Sequence, residues 1–304
     1  MKQWSIIVAL LTCSLFVPKT RAGEASKASS KTIGKAAIKT GGNYEVEEVR
    51  GLAYHDGKDA DSVRHKLDLY LPKGQKDFPV LFFVHGGAWR SGNKDLYGPL
   101  GKTFAKNGIG TVIINYRLSP KVQHPAHIED VAKAFAWTHR NIGKHGGRAD
   151  QIFVCGHSAG GHLVALLGTC DSHLKAETLT TRDICGMIPL SGVYTITPVI
   201  FKMAFGNDPE VCKAASPLTH VKGNHPPALV AYADKDYPFL DIMAEQLCKK
   251  LEGCKCEVTS LKVANRTHIT IIVQIANEAD PATQAMLAFI ARHSNLILTE
   301  RQQP

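Results

Sequence analysis

No stretch of this 304-residue chain is apolar for long enough to cross a bilayer comfortably. The longest, Ile6–Val17, gives twelve largely apolar residues before Pro18 breaks it, against the ~20 that a spanning helix needs. The chain has no internal repeat, which argues against a solenoid or propeller. It lacks the interleaving of basic and aromatic residues that nucleic-acid binding uses, so no nucleic-acid partner is expected. It also lacks paired metal-ligand spacings. Cys254-Lys255-Cys256 has no second ligand pair nearby, so neither a metal nor an organic cofactor is expected.

The N-terminus reads as a targeting segment. Lys2 precedes the short apolar run, and small residues follow it. Residues 1–22 are expected to be a cleavable signal peptide, cut after Ala22 or alternatively after Ala25, and the protein is expected to be secreted or periplasmic. A lipoprotein reading through Cys13 fails on the Leu-Leu-Thr before it. Residues 23–43 are rich in Lys, Ser, Ala and Gly and contain no aromatic residue, which predicts a flexible spacer. Residues 44–304 are expected to form one domain. The formal net charge is +9, and without Lys2, Lys19 and Arg21 it falls to +6. That is a weak attraction to anionic surfaces at most. Seven cysteines remain once Cys13 is removed. Cys155 is expected to be a buried thiol. Export would permit up to three bridges among Cys170, Cys185, Cys212, Cys248, Cys254 and Cys256, with connectivity open.

Eight segments read as strands, near 45–54, 64–71, 80–84, 111–115, 152–155, 187–190, 228–232 and 257–263. The unbroken run VLFFV (80–84) is of the kind found in a parallel strand covered on both faces. The first two strands are joined by 56–62, too short for a crossover helix, and should be antiparallel. Helical spacing puts Ile128, Val131, Ala132 and Phe135 on one face of 124–142. A last helix begins with Asp280 as its cap and Pro281 in its first turn. The class is α/β, with a mostly parallel eight-stranded sheet and helices on both faces.

Two motifs follow strands. Gly156-His157-Ser158-Ala159-Gly160 comes after QIFVC (151–155) and before a helical run, HLVALL (162–167). In a strand–turn–helix of this kind the small residues let a strained turn project the serine hydroxyl, which makes Ser158 the candidate nucleophile. His85-Gly86-Gly87-Ala88-Trp89 follows 80–84. Acyl transfer builds negative charge on a carbonyl oxygen, and preorganised backbone N–H groups stabilise it. Gly86, Gly87 and Ala159 are the candidate oxyanion-hole donors. Taken alone, His-Gly-Gly is equally an ordinary tight loop.

HGGAWRSGNK (85–94), NYRLSP (115–120), HPAHIEDV (124–131), GHSAGGHL (156–163), ASPL (215–218) and PPAL (226–229) together resemble the carboxylesterase/lipase branch of the α/β-hydrolases, which includes the hormone-sensitive-lipase-like and feruloyl-esterase-like enzymes. The resemblance covers roughly residues 45–292. It implies the α/β-hydrolase fold and a triad in chain order serine, acid, histidine. After strand 228–232 the family pattern is G-x-x-D with the second acid catalytic, which implies Asp236. Ala233 stands where glycine is usual, and Asp234 remains the alternative. The base should follow the strand Glu257–Val263, which implies His268, with His293 the competitor among fourteen histidines. His162 is expected to pack on the helix.

These readings imply a secreted serine carboxylesterase acting through an acyl-enzyme on a small-molecule or polysaccharide-linked ester. Alternatives are another hydrolase on the same triad, such as an acylaminoacyl-type peptidase or an arylformamidase, or a non-catalytic binding member of the fold. Specificity is assigned to the segments Ser91–Gly101 and Thr195–Cys212. The sequence leaves oligomeric state and acyl length open.

Overall fold

The computed structural model describes residues 43–294. The expected signal peptide, and all of the spacer except its last residue, lie outside the described residues.

Eight strands form one sheet: β1 Val46–Ala53, β2 Lys66–Pro72, β3 Phe78–Val84, β4 Gly110–Ile114, β5 Gly147–His157, β6 Gly186–Leu190, β7 Ala228–Lys235 and β8 Val258–Thr267. Their order is β1-β2-β4-β3-β5-β6-β7-β8. β1 pairs antiparallel with β2, and β2 with β4. All remaining pairs are parallel. The helices are α1 Gly98–Lys106, α2 Ala126–Asn141, α3 Ala159–Thr169, α4 Asp171–Lys175, α5 Lys202–Phe205, α6 Pro209–Ala214, α7 Pro217–His220, α8 Leu240–Gly253, α9 His268–Gln274 and α10 Pro281–Arg292.

Every residue of β3 is buried, and its alternation shows why the run is unbroken. Val80, Phe82 and Val84 belong to one core with Ile128, Val131 and Phe135 of α2, Leu163 of α3 and Leu247 of α8. Leu81 and Phe83 turn the other way, towards Leu100 and Phe104 of α1 and Met286 and Ile290 of α10. Both faces of the sheet are therefore covered by helices, and each strand residue needs an apolar side chain. The expected cap of α10 is present: the Asp280 side chain accepts from the Ala282 N–H, with Pro281 in the first turn.

The observed strands overrun two expected turns. β7 continues through Ala233 to Lys235, and β8 through Asn265-Arg266 to Thr267. The reason is local. The Asp234 carboxylate accepts from the backbone N–H groups of Asn265 and Arg266, both at 2.9 Å, so it laces the ends of the two strands together.

This topology places the carboxyl ends of β3, β5, β6, β7 and β8 side by side. In open α/β sheets ligands bind beyond these ends. His85, Ser158, Ser191, Asp236 and His268 are each the first residue after one of those strands.

Candidate active site

Ser158 sits between β5 and α3 with φ 56° and ψ −117°. A non-glycine residue held there costs on the order of 1–3 kcal/mol, so the surroundings must enforce it. They do so through backbone contacts. The Ser158 N–H donates to the Leu190 carbonyl at 2.9 Å, and its carbonyl accepts from the His162 N–H at 2.9 Å. The glycines on either side are dictated by space. A Cβ on Gly156 would lie 2.3 Å from the Gly160 carbonyl oxygen, and one on Gly160 would lie 2.1 Å from that of Val84.

The structure brings Ser158, His268 and Asp236 together across 110 residues of sequence. His268 Nε2 lies 2.9 Å from Ser158 Oγ. His268 Nδ1 lies 2.6 Å from Asp236 Oδ1. His268 is buried, and the Asp236 side chain is 2% exposed. Asp236 Oδ2 accepts from Ser191 Oγ and from the Ala233 N–H at 3.2 Å, and Oδ1 also accepts from the Tyr237 N–H at 2.9 Å. Burial opposes the charge on Asp236, but the hydrogen bonds from His268 and Ser191 outweigh it and hold the carboxyl below its usual range. Asp234 does not reach His268; its oxygens are taken up by the β8 backbone. His293 is likewise elsewhere, 3.3 Å from Glu257.

The candidate oxyanion donors lie against the serine elbow. A Cβ on Gly86 would lie 2.8 Å from the His157 carbonyl oxygen and 3.2 Å from Ser158 Cβ, so the loop packs directly on the elbow. Gly87 has φ +116°, and a Cβ there would meet the Ser91 carbonyl oxygen at 2.2 Å, so glycine is required. Ala159 opens α3 directly after the serine.

The remaining motif residues are a buried framework. His85 Nδ1–H donates to the Gly86 carbonyl at 2.7 Å, and the ring stacks on Tyr116 with centroids 4.5 Å apart. Burial lowers its pKa to about 4. His162 Nε2–H donates to the Ala215 carbonyl at 2.8 Å, which leaves Nδ1 to accept from Trp89 Nε1–H at 3.2 Å. That one imidazole ties the serine elbow to the His-Gly-Gly loop and to the ASPL segment. Arg117 grips the fully buried Asp130 through Nε and Nη2, and His65 lies 3.1 Å from the same carboxylate. Lys94 reaches the buried Asp68 at 2.9 Å. Phe201 and Phe205 pack edge-on against Trp89.

Two residues next to the reacting groups escape a sequence reading. Ser191 follows β6, and only the strand order reveals that it meets Asp236. Tyr237 stacks on His268 with centroids 4.3 Å apart and is 48% exposed. The six cysteines offered for bridging, and Cys155, are all free thiols; the structure pairs none of them. No group of three or more metal-ligating side chains among the described residues is placed to hold a metal ion, and no described helix is long and apolar enough to cross a membrane.

A family model described as BD-FAE matches residues 67–187. The chain is 34% identical over 198 residues to esterase LipC of Mycobacterium tuberculosis, covering 58% of this chain and 49% of that protein. It is 28% identical over 238 residues to a kynurenine formamidase of Danio rerio, covering 75% of this chain and 78% of that protein. The chain spans about half or less of the length of the mycobacterial esterases it matches. Among solved structures, a truncated carbohydrate esterase from gut microbiota superposes with a TM-score of 0.72 at 21% identity, covering 84% of this chain and 98% of that one. Esterase B from Lactobacillus rhamnosis gives 0.71 at 18%, covering 83% and 87%. These structures share the fold. The chain has the α/β-hydrolase fold, and over the matched region its sequence is similar to esterases of the carboxylesterase/lipase-like branch.

Proposed function

We propose that this protein is a secreted serine hydrolase of carboxylic esters. The observation that carries the reading is the continuous hydrogen-bonded line Ser158 Oγ–His268–Asp236 at 2.9 and 2.6 Å, set on a strained serine turn. The esterase relatives support it at the level of reaction class. The export signal read in residues 1–22 supports secretion.

In this reading His268 accepts the Ser158 proton as the hydroxyl attacks the ester carbonyl. Asp236 holds the Nδ1–H tautomer and stabilises the imidazolium that forms. The oxyanion rests on the N–H groups of Gly86, Gly87 and Ala159. His268 then protonates the leaving alcohol, and water repeats the cycle to release the acid. Every step uses groups of this chain. The exposed Tyr237 ring against His268 forms one wall of the substrate entrance.

A second reading is an arylformamidase on the same triad. It is favoured by the kynurenine formamidase relatives, which align over more of their own length than the esterases do. The two separate in one experiment. Rates are compared on p-nitrophenyl esters of increasing acyl length, a feruloyl ester, acetylated xylan and an N-formyl aniline, with Ser158→Ala as the blank. Ester turnover that exceeds formanilide turnover by at least about tenfold supports the esterase. The reverse order supports the formamidase. Turnover of both that persists in Ser158→Ala overturns the mechanism.

A further inference from the structure

A second cluster of reactive side chains lies at the far end of α3, with eleven residues of helix between it and Ser158, or roughly 16 Å at the usual helical rise. Cys170 links α3 to α4 and is half-buried. Its sulfur lies 3.1 Å from Ser172 Oγ, and the imidazoles of His173, on α4, and His220, which ends α7, are its titratable neighbours. His220 Nε2 donates to the Ala214 carbonyl at 2.7 Å, which leaves Nδ1 for the sulfur. Cys170 and His220 line a cavity of about 560 Å³.

The cavity wall is cationic. Lys175, Arg182 and Lys222 line it, with His225 beside them. Asp171 is its one acidic residue; it stands 3.4 Å from Lys175 and accepts from the Thr181 N–H. Among the described residues, neither Arg182 nor Lys222 has a carboxylate partner within ion-pair distance. Such a wall favours a ligand that carries carboxylates.

The geometry points to Cys170 as a nucleophile independent of Ser158, which exchanges with small carboxylate-bearing disulfides held in this cavity. The Cys170 thiolate attacks one sulfur of the disulfide. The Sγ–S bond forms, the original S–S bond breaks, and the other half leaves as a thiolate that takes a proton from solvent or from the His220 imidazolium. Cys170 ends as a mixed disulfide, and half of the incoming disulfide ends as a free thiol. No other oxidant is required.

The other thiols provide the contrast. Burial opposes ionisation of Cys170, but the hydrogen bonds from His173, His220 and Ser172 outweigh it and pull the thiol down to about 5. Burial raises Cys185 and Cys248 to about 11 and pushes Cys155 and Cys212 upward. At pH 6 a thiol near 5 is roughly 90% thiolate, while an unperturbed one is roughly 0.3%. The weaker nucleophilicity of the more acidic thiolate takes back roughly fortyfold of that advantage. The net expectation is that Cys170 reacts about tenfold faster than an ordinary exposed cysteine at pH 6. Its rate should be nearly flat from pH 6 to 8, whereas an ordinary thiol gains about tenfold per unit.

The test uses the full chain. Two aromatic disulfides are compared, the dianionic 5,5′-dithiobis(2-nitrobenzoate) and the neutral 2,2′-dithiodipyridine. Glutathione disulfide follows, with the adduct located by peptide mass spectrometry. One fast phase, flat with pH and absent from Cys170→Ser, is the expected result. His220→Gln should slow it about tenfold and restore a steep pH dependence. Lys222→Glu with Arg182→Glu should slow the dianionic probe at least threefold more than the neutral one. A fast phase that survives in Cys170→Ser, or a wild-type rate that climbs tenfold per pH unit, overturns the assignment of the nucleophile. Equal slowing of both probes in the charge variants overturns the ligand class. Thermal melts of each variant separate these outcomes from misfolding, and the esterase panel separates them from failure of the Ser158 mechanism.

Discussion

Replacing Asp236 with asparagine is the sharpest probe of the candidate site, because nearly the same shape is kept while the hydrogen-bond polarity changes. Oδ1 accepts from His268 Nδ1–H and from the Tyr237 N–H; Oδ2 accepts from Ser191 Oγ–H and from the Ala233 N–H. All of the neighbours are donors, so the amide NH2 of asparagine faces an N–H at either position. Ser191 can rotate its hydroxyl to accept; the Ala233 and Tyr237 N–H groups cannot reverse. With the amide nitrogen towards His268, the imidazole proton moves to Nε2. That tautomer cannot accept the Ser158 proton. The corresponding change in a serine protease triad lowers kcat about 10⁴-fold, equivalent to about 5.5 kcal/mol in the barrier. The assay is kcat/KM on a p-nitrophenyl ester together with a thermal melt, so that a folded but inactive enzyme is distinguished from an unfolded one. A loss of less than tenfold in a folded Asp236→Asn variant would refute the role assigned to this carboxylate.

Asp234→Asn should retain activity within about tenfold, because Asp234 meets only the Asn265 and Arg266 backbone; a collapse matching Asp236→Asn would exchange the two roles. Gly160→Ala drives a Cβ to 2.1 Å from the Val84 carbonyl oxygen and 2.7 Å from that of His85. Backbone must move there, so a loss of about 1–3 kcal/mol in stability is expected, and an unchanged melt would contradict the packing described. Asp130→Ala leaves Arg117 and His65 facing an empty buried site and should cost about 3–5 kcal/mol. That is a fall of roughly 6–20 °C in Tm for a domain of this size; an unchanged Tm would refute it. Stability should also fall with acid. Burial lowers His85 to about 4 and His157 and His162 to about 3, so the unfolded chain binds more protons below its own histidine pKa of about 6.5. Each of the three should cost about 1.4 kcal/mol at pH 5.5 relative to pH 8, and the loss should deepen towards the folded-state values. A Tm independent of pH between 8 and 5.5 would sink that assignment.

The strands and the serine elbow were legible because their constraints are local. β3 is buried on both faces, so it must be continuously apolar, and the elbow needs glycine on both sides of Ser158, so it must read G-x-S-x-G. His268 was legible through chain order. Other parts could not be read in that way. Ser191 has no local signature, and its role exists only because β6 lies beside β7. β7 and β8 run past the apolar segments 228–232 and 257–263 because Asp234 extends the pairing, and a carboxylate that accepts backbone N–H groups looks in sequence like any polar turn residue.

The departure at Ala233 can be judged on physical grounds. Glycine would be required before the acid if the chain needed a positive φ or a close backbone approach there. Neither applies: Ala233 is absent from the positive-φ residues, and its side chain is buried with Val263 and Ile271 in the core on one face of the sheet. What the position must supply is its N–H, which donates to Asp236 Oδ2 at 3.2 Å, and alanine supplies that as well as glycine. The methyl adds apolar contact on a strand that is buried at every position from Ala228 to Ala233. Ala233 is thus a compatible residue in an intact acid loop, and Ala233→Gly would remove packing and add chain entropy without bringing Asp236 any closer to His268.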